Sequence, residues 1–191
     1  MTSFYSNEEL SGLGLKSFGA NVMISRKCSI YGASTISLGS NVRIDDFCIL
    51  SGRVSLGSHI HIGSFCGLFG SRGIEMGDFS GLSARVTIYS ESDDYMGAGL
   101  TSPVIPARFR VVKGAPVEIG KHALAGCGAL ILPGGNLSEG SVLGAVSLLK
   151  TTTDPWHIYA GVPAKKIKLR EKEIILNFEK EYLNEANSQK R

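Results

Sequence analysis

Long apolar runs are absent from this sequence of 191 residues. No stretch reaches the roughly 18 to 20 apolar residues that a membrane-spanning helix needs. Residues 1–9 also lack the basic start and apolar core of a secretory signal. We therefore expect a single domain over residues 1–191 that stays in the cytoplasm and does not insert into a membrane.

Paired cysteines and a large excess of one charge are missing as well. The four cysteines form no CxxC pair, so we expect buried free thiols, with no zinc knuckle, disulfide or other metal site. The net charge of +3 is small and evenly spread, which argues against a nucleic-acid partner. No Gly-rich phosphate loop ending in Gly-Lys-Ser/Thr occurs, so ATP chemistry is not indicated.

Glycine is abundant instead, with 24 residues, and an aliphatic residue recurs at every sixth position. Helices repeat every 3.6 residues and strands every two, so a period of six fits short extended segments joined by tight turns. A small or β-branched residue tends to follow each aliphatic one after four positions. Two-residue slips and one gap separate the runs, which are Phe18, Ile24, Ile30; Leu38, Ile44, Leu50, Leu56, Ile62, Leu68, Ile74; Met76, Leu82, Ile88; and Ile119, Ala125, Ile131, Leu137, Leu143, Leu149.

Three such hexapeptides make one triangular coil of 18 residues, in which the aliphatic side chains point inward and stack on those of the next coil. The pattern predicts an all-β solenoid, a parallel β-helix, with coils at 18–89 and 117–150. Glycines directly after the inward residue, as in Leu38-Gly39 and Ile119-Gly120, are expected at the tight corners. Residues 1–17 are expected to cap one end, and an apolar stripe predicts a C-terminal α-helix over 169–187.

The period of six disappears at residues 90–116. This stretch carries Ser90-Glu91-Ser92-Asp93-Asp94 and then three prolines and several basic residues. Long irregular insertions in compact domains are uncommon and are usually functional. We therefore expect this inserted loop to carry substrate chemistry.

Three segments give the chain a resemblance to a known family. They are the hexapeptides with NVRIDDFC at 41–48, the interruption SESDDY at 90–95, and the closing motif IYAGVPAKKIK at 158–168. Together they resemble the hexapeptide-repeat, left-handed β-helix acyltransferases that use acyl-CoA. Within that family the chain looks most like the N-acyltransferases of nucleotide-linked 4-amino-4,6-dideoxyhexoses, closest to those that take dTDP-4-amino-4,6-dideoxyglucose for surface polysaccharides such as O-antigen.

One departure from the family points to the acceptor. Many of its O-acetyltransferases carry a catalytic histidine at the place of residues 89–94, where this sequence has none. A sugar hydroxyl needs a positioned general base, whereas an amine with a pKa of roughly 7.7 to 8.0 is partly neutral at pH 7 and attacks unaided. An amine site needs a carboxylate that holds and orients it. The expected acceptor is therefore an amino sugar.

Resemblance and charge together select the candidate site residues. Asp94 is the first choice for the carboxylate that contacts the sugar amine, with Ser83 and Glu139 as hydrogen-bond partners beside it. Arg110 is a further candidate for the nucleotide pyrophosphate. The candidates for binding the nucleotide sugar are Asp93, Tyr89, Arg108 and Lys113.

The resemblance also implies a homotrimer with active sites between subunits, and acetyl-CoA or another short acyl-CoA as co-substrate. The pantetheine arm of CoA would run between adjacent coils along small residues, and basic side chains of the closing motif would meet its phosphates. Lys166 is a further candidate for the phosphates. The predicted CoA contacts are Gly126, Cys127, Gly144, Ala145, Lys165 and Lys168.

Two other functions remain open at this point. The first is a saccharide O-acetyltransferase of the same fold, which needs a histidine such as His59, His61 or His122 from a neighbouring subunit as base. The second is a non-catalytic solenoid that binds a partner protein. The sequence also leaves open the acyl group, acetyl or 3-hydroxybutyryl, the nucleotide, dTDP, UDP or GDP, and the sugar stereochemistry.

Overall fold

The structure, a computed structural model, describes residues 3–188. Residues 1 and 2 of the expected cap, and residues 189–191, lie outside the described part. The elements follow in chain order: α1 (Asn7–Gly12), β1 (Ser17–Phe18), β2 (Met23–Ile24), β3 (Ser29–Tyr31), β4 (Ile36–Leu38), β5 (Val42–Ile44), β6 (Ile49–Leu56), β7 (Ile60–Ile62), β8 (Gly67–Met76), β9 (Gly81–Leu82), β10 (Thr87–Tyr89), β11 (Glu91–Asp93), β12 (Val112–Gly114), β13 (Val117–Ile119), β14 (Leu124–Ala125), β15 (Leu130–Ile131), β16 (Val142–Leu143), β17 (Leu148–Leu149), β18 (His157–Ala160), β19 (Lys165–Leu169) and α2 (Glu173–Ser188).

These strands form a left-handed parallel β-helix, which confirms the predicted fold class. Equivalent residues of successive coils pair in parallel register, so each inward side chain stacks on the next along the axis. Strands β6 and β8 are long because they continue round a corner from one face to the next. The three inward columns are Phe18, Leu38, Leu56, Met76, Ile119 and Leu137; Ile24, Ile44, Ile62, Leu82, Ala125 and Leu143; and Ile30, Leu50, Leu68, Ile88, Ile131 and Leu149.

The predicted register is wrong at one residue, Ile74. In the structure Leu56 pairs with Met76, and Ile74 pairs with Val54. Ile74 therefore occupies the same position as Val54, that of the small or β-branched residue four places after an inward one. The two extra residues lie before Ile74, where β8 has a register shift. The six-residue spacing of Ile74 from Leu68 concealed this insertion because Ile fits both positions.

The glycines after inward residues have a different role from the predicted one. Gly39 and Gly120 do not have positive φ; the corners use residues such as Asn41 and Phe65 in the left-handed region. A Cβ on Gly39 would lie 2.5 Å from the carbonyl oxygen of Gly57, and one on Gly120 would lie 2.5 Å from the amide nitrogen of Glu139. These glycines are therefore needed because the backbones of adjacent coils approach closely.

The N-terminal segment closes one end of the solenoid. Ser6 and Glu9 form a capping box at α1, and Glu9 pairs with Arg26 of the first coil. The Arg26 guanidinium and the Ser6 N–H lower the pKa of Glu9 to about 2. Leu10 of α1 is fully buried in the end of the core. The short helix thus covers apolar surface that an open coil would expose.

The predicted C-terminal helix starts later than expected. Residues 165–169 form β19, antiparallel to β18, and α2 begins at Glu173. Residues 165–169 form a strand rather than a helix because β18 lies at the edge of the last coil, where its backbone can pair with them. Tyr182 of the predicted apolar stripe lies edge-on to His59 at 5.3 Å, but it is exposed, as are Ile174 and Phe178.

No helix within the described residues is long and apolar enough to cross a membrane.

Candidate active site

The inserted loop leaves the solenoid after β10 and returns at β13 as an antiparallel hairpin of β11 and β12. Buried Ser90 fixes its base, because its hydroxyl donates to the Phe69 carbonyl and accepts from the Arg72 N–H. Arg72 also pairs with Glu91 at 2.6 Å. The hairpin is thus tied to the neighbouring coil at its root, which positions the residues that follow.

Asp93 connects β11 to the middle of the loop and to its returning part. One carboxylate oxygen accepts the Ser102 N–H at 3.0 Å, and the other lies 3.1 Å from the Arg110 guanidinium. The Ser102 N–H and then Arg110 lower the pKa of Asp93. Arg110, predicted to meet pyrophosphate, is therefore engaged in holding the loop, because its guanidinium is mostly buried against Asp93.

Asp94 lies beside it with its carboxylate almost fully buried. Its Oδ2 accepts the N–H groups of Met96 and Ala98, at 2.9 and 3.0 Å. Its Oδ1 lies 2.6 Å from the Lys113 ammonium, but the contact lacks the alignment of a hydrogen bond. Lys113, followed by the Ala98 and Met96 N–H groups, lowers the pKa of Asp94. The carboxylate is thus ionised and fixed in direction at neutral pH.

A cavity of about 430 Å³ opens over this carboxylate. Its volume lies within the range of small-molecule sites. Asp93, Asp94 and Lys113 supply its charges, and the sequence prediction placed all three in the site. The remaining lining residues are small, apolar or uncharged polar: Ser92, Tyr95, Met96, Gly114, Ala115 and Pro133.

The backbone clamp on Asp94 is a feature that the sequence analysis missed. Met96 and Ala98 direct their N–H groups at Oδ2 because the chain turns back on Asp94. Asp often accepts from backbone N–H groups just after it in this way. The signal was present in the sequence as an Asp followed by the glycines at 97 and 99.

Lys113 and the other predicted substrate-binding residues have partners within the chain. Lys113 is bound to Asp94 rather than free for a phosphate. The Arg108 guanidinium stacks over the ring of Phe109, with its central carbon 4.7 Å from the ring centre. Tyr89 is partly exposed and stacks on Phe69 with the ring centres 4.8 Å apart. Their contacts with a substrate stay a prediction.

Within one chain, Ser83 and Glu139 do not line the cavity of Asp94; each lines a different cavity. Ser83 shares a cavity of about 370 Å³ with Asp45 and His61, whose Oδ2 and Nε2 atoms are 2.7 Å apart. Glu139 lines one of about 540 Å³ on another face. The predicted grouping with Asp94 therefore requires neighbouring copies of the chain. The Asp45–His61 pair beside Ser83 was not foreseen, since residues 45 and 61 meet only through coil stacking.

The predicted CoA groove lies where small residues bring coils together. A Cβ on Gly126 would come within 2.6 Å of the Ala145 amide nitrogen. The N–H groups of Gly126 and Gly144 donate to Leu143 and Tyr159 of the next coil, so they bond coils rather than face a ligand. Exposed Cys127 corrects the expectation that all four thiols are buried.

The basic side chains of the closing motif differ in their surroundings. Lys165 and Lys168 lie on β19 and are exposed to solvent. Lys166 pairs with the carboxylate of Asp154, which raises the pKa of the lysine. Lys165 and Lys168 are thus better placed than Lys166 to meet a phosphate.

None of the histidines lines the Asp94 cavity among the described residues. His122 is buried between Phe79 and Trp156, and its Nε2 lies 2.8 Å from Glu179 of α2. His59 stacks on Phe79 at 4.5 Å beneath α2. These two rings hold the C-terminal helix, which leaves them poorly placed to serve as a base. Over residues 3–188 no group of three or more potential ligands for a metal ion occurs.

The chain is similar to known proteins over most of its length. No protein-family model matches the chain. It is 39% identical over 170 residues to an Escherichia coli dTDP-4-amino-4,6-dideoxy-D-glucose acyltransferase, covering 87% of this chain and 88% of that protein.

Two solved structures of an N-acyltransferase are also similar to this chain. AntD, an N-acyltransferase from Bacillus cereus in complex with dTDP and 3-hydroxybutyryl-CoA, has a TM-score of 0.94 and 47% identity over 98% of this chain and all of that one. A serine-to-alanine variant of AntD, bound to dTDP-4-amino-4,6-dideoxyglucose and coenzyme A, has a TM-score of 0.92 and 46% identity over 97% of this chain and all of that one. The chain therefore belongs to the hexapeptide-repeat acyltransferases, in the family of the dTDP-4-amino-4,6-dideoxyglucose acyltransferases.

Proposed function

We propose that the protein transfers the acyl group of an acyl-CoA to the 4-amino group of dTDP-4-amino-4,6-dideoxyglucose. The observation that carries this proposal is the buried, ionised carboxylate of Asp94 at the cavity of the inserted loop. A fixed negative charge suits an incoming sugar ammonium. The ligands of AntD and the name of the Escherichia coli relative support the same acceptor.

The surroundings of Asp94 fit a positioning role better than that of a general base. A carboxylate whose pKa is lowered by Lys113 and two N–H groups is a weak base near neutral pH. Asp94 would hold the ammonium and keep the neutral amine directed at the thioester after proton loss. The ammonium releases its first proton to solvent. The neutral amine nitrogen then forms the amide bond as the C–S bond breaks, and the second proton that nitrogen loses protonates the leaving thiolate to give free CoA.

A homotrimer with active sites between subunits completes this proposal. In such an assembly a neighbouring copy would bring Ser83 or Glu139 to the Asp94 cavity, which one chain does not do. CoA would lie along Gly126, Cys127, Gly144 and Ala145 and would end at Lys165 and Lys168. We place the reaction in the cytoplasm and in surface polysaccharide synthesis such as that of O-antigen.

Two residues that were substituted in AntD bear on which loop carboxylate binds the amine. The serine and the aspartate that were substituted in AntD lie ten residues apart. Ser83 and Asp93 have that spacing in this chain, whereas Asp94 is one residue further. Asp93 is already bound to Ser102 and Arg110, so we keep Asp94 as the amine-binding group and use Asp93 as the comparison.

Release of free CoA, followed with a thiol-reactive dye, tests the proposal. Purified protein receives dTDP-4-amino-4,6-dideoxyglucose with either acetyl-CoA or 3-hydroxybutyryl-CoA, and the 4-hydroxyl sugar nucleotide is the control acceptor. We expect thiol release with the amine alone. Release with the hydroxyl sugar would favour an O-acetyltransferase, and absence of acyl-CoA binding would favour the non-catalytic solenoid.

Substitutions then test which loop carboxylate binds the amine. Asp94→Asn removes the negative charge but keeps the side-chain shape, so we expect kcat/KM to fall about a hundredfold. Asp93→Asn weakens loop order and should cost less. Asp46→Asn, a coil aspartate paired with Lys27, is the matched control and should leave turnover unchanged. A larger loss for Asp93→Asn than for Asp94→Asn would reassign the amine to Asp93.

A further inference from the structure

Lys113 covers the one oxygen of Asp94 that the backbone leaves without an aligned hydrogen bond. Oδ2 is bound by two N–H groups, while Oδ1 has the Lys113 ammonium at 2.6 Å. The carboxylate side chain is 1% exposed, whereas the lysine side chain is 68% exposed. A cation on a solvated stem thus covers an otherwise sealed negative charge.

We propose that Lys113 holds the place of the sugar ammonium and is exchanged for it when the amino sugar binds, so that this lysine determines specificity for an amine. This inference rests on the function proposed above. Lys113 and Asp94 line the same cavity, and Lys113 lies on β12 directly opposite Ser92 of β11. The hairpin register therefore places the lysine at the mouth of the amine site.

The physical reason for the exchange is that a buried carboxylate is very unfavourable without a countercharge. With Lys113 in place, Asp94 stays ionised before the substrate arrives. Binding of the sugar ammonium therefore requires no uptake or release of a proton by Asp94. Displacing the lysine is easy because its long stem is already solvated and its ammonium returns to water. One ammonium is replaced by another, and the charge of the site is conserved.

The exchange also rejects the corresponding hydroxyl sugar. A neutral hydroxyl offers Asp94 no positive charge, so it competes poorly with the lysine ammonium for Oδ1. Discrimination then comes from an occupant that must be displaced and not only from contacts made with the correct substrate. The small and apolar neighbours Gly114, Ala115 and Pro133 add no other charge to this part of the cavity.

Binding measured by calorimetry at neutral pH tests the exchange. The amino sugar nucleotide and dTDP, which has no amine, are titrated into the wild type, Lys113→Met and the control Lys180→Met on exposed α2. We expect Lys113→Met to bind the amino sugar nucleotide about fivefold more tightly, the size expected for an ion pair with one exposed partner. Its affinity for dTDP and that of the control for both ligands should not change.

Two further variants separate this role from a structural one. Lys113→Arg keeps a cation and should restore the wild-type affinity. In a chain that already carries Asp94→Asn, adding Lys113→Met should not increase the affinity for the amino sugar nucleotide. The lysine and the sugar ammonium then have no carboxylate for which to compete. Weaker binding of both ligands by Lys113→Met would overturn the proposal and assign the lysine to the pyrophosphate. Turnover by the wild type, measured as CoA release, tests the proposed function independently.

Discussion

The coils and the inserted loop keep their shapes by different forces. In the coils, residues such as Ile62 and Leu68 are fully buried, and each coil bonds to the next through its backbone. In the loop, Met96 and Val104 are 85% exposed, while the buried side chains, such as Ser90 and Asp94, are polar. The solenoid thus rests on apolar contact and the loop on paired charges.

This difference separates stability from function in the molecule. Apolar burial depends little on pH or salt, so the coils form a rigid frame. Ion pairs in the loop are directional and can be exchanged for charges on a ligand. We therefore expect substitutions in the coils to change unfolding and substitutions in the loop to change binding and turnover.

The largest effect is expected in the coils, from Leu68→Ala. Removing a fully buried leucine leaves a cavity between tightly stacked coils, so the unfolding free energy should fall by about 2–5 kcal/mol. Chemical denaturation measures it. Val104→Ala in the loop is the matched control and should change the unfolding free energy by less than about 0.5 kcal/mol. Similar losses for both variants would contradict the comparison.

A smaller effect is expected in the loop, from Arg110→Met. The variant loses the guanidinium that holds Asp93, so the hairpin should lose order and kcat/KM should fall about tenfold. The melting temperature should stay within about 2 °C of the wild type, because the coils are untouched.

Arg53→Met, which removes a guanidinium from a coil, provides the control for this loop variant. It should leave kcat/KM unchanged. A large drop in melting temperature for Arg110→Met, with kcat/KM preserved, would show instead that the loop supports the solenoid.

The two regions also differ in how far the sequence could predict them. The column through Leu50, Leu68 and Ile88 was predictable because the six-residue period holds within each run and resumes after each slip. Ile74 was misplaced because an insertion of two residues leaves an aliphatic residue at the expected position. The pairing of Lys113 with Asp94 could not be predicted, since it depends on the register of β11 and β12, which no repeat specifies.

Ser83 and Glu139 show a further limit of sequence reasoning. The period assigns each to a face of the solenoid, and the structure places them at separate cavities. Whether they share a site with Asp94 depends on contacts between copies, which a spacing within one chain does not encode. The terminal strand at 165–169 has a similar cause, because only the folded last coil offers the edge on which it forms.

An effect of about 1 kcal/mol is expected where α2 meets the coils, from Glu179→Gln. Burial raises the pKa of Glu179, but Lys121 and His122 outweigh it, so the pKa is lowered overall. Its ionised form therefore stabilises docking above the ordinary value near 4.5, and the contribution is lost as the pH falls through the lowered folded value.

Fluorescence of Trp156, the single tryptophan, reports this contact because its ring lies 5.9 Å from that of His122. We expect acid to change the emission of the wild type, and Glu179→Gln to show the altered emission already at neutral pH. Glu181→Gln on the exposed side of α2 should behave like the wild type. An identical acid transition in Glu179→Gln would assign the change to another group.

The smallest effect is expected for the ion pair at the root of the loop, from Arg72→Met. Arg72 and Glu91 are 2.6 Å apart but partly exposed, so the pair should contribute less than about 1 kcal/mol, and kcat/KM should fall less than about fivefold. Salt screens such a pair. The difference between variant and wild type should therefore disappear at high ionic strength, whereas the loss caused by Leu68→Ala should persist there. A salt-independent defect in Arg72→Met would mean that the arginine does not act through its charge.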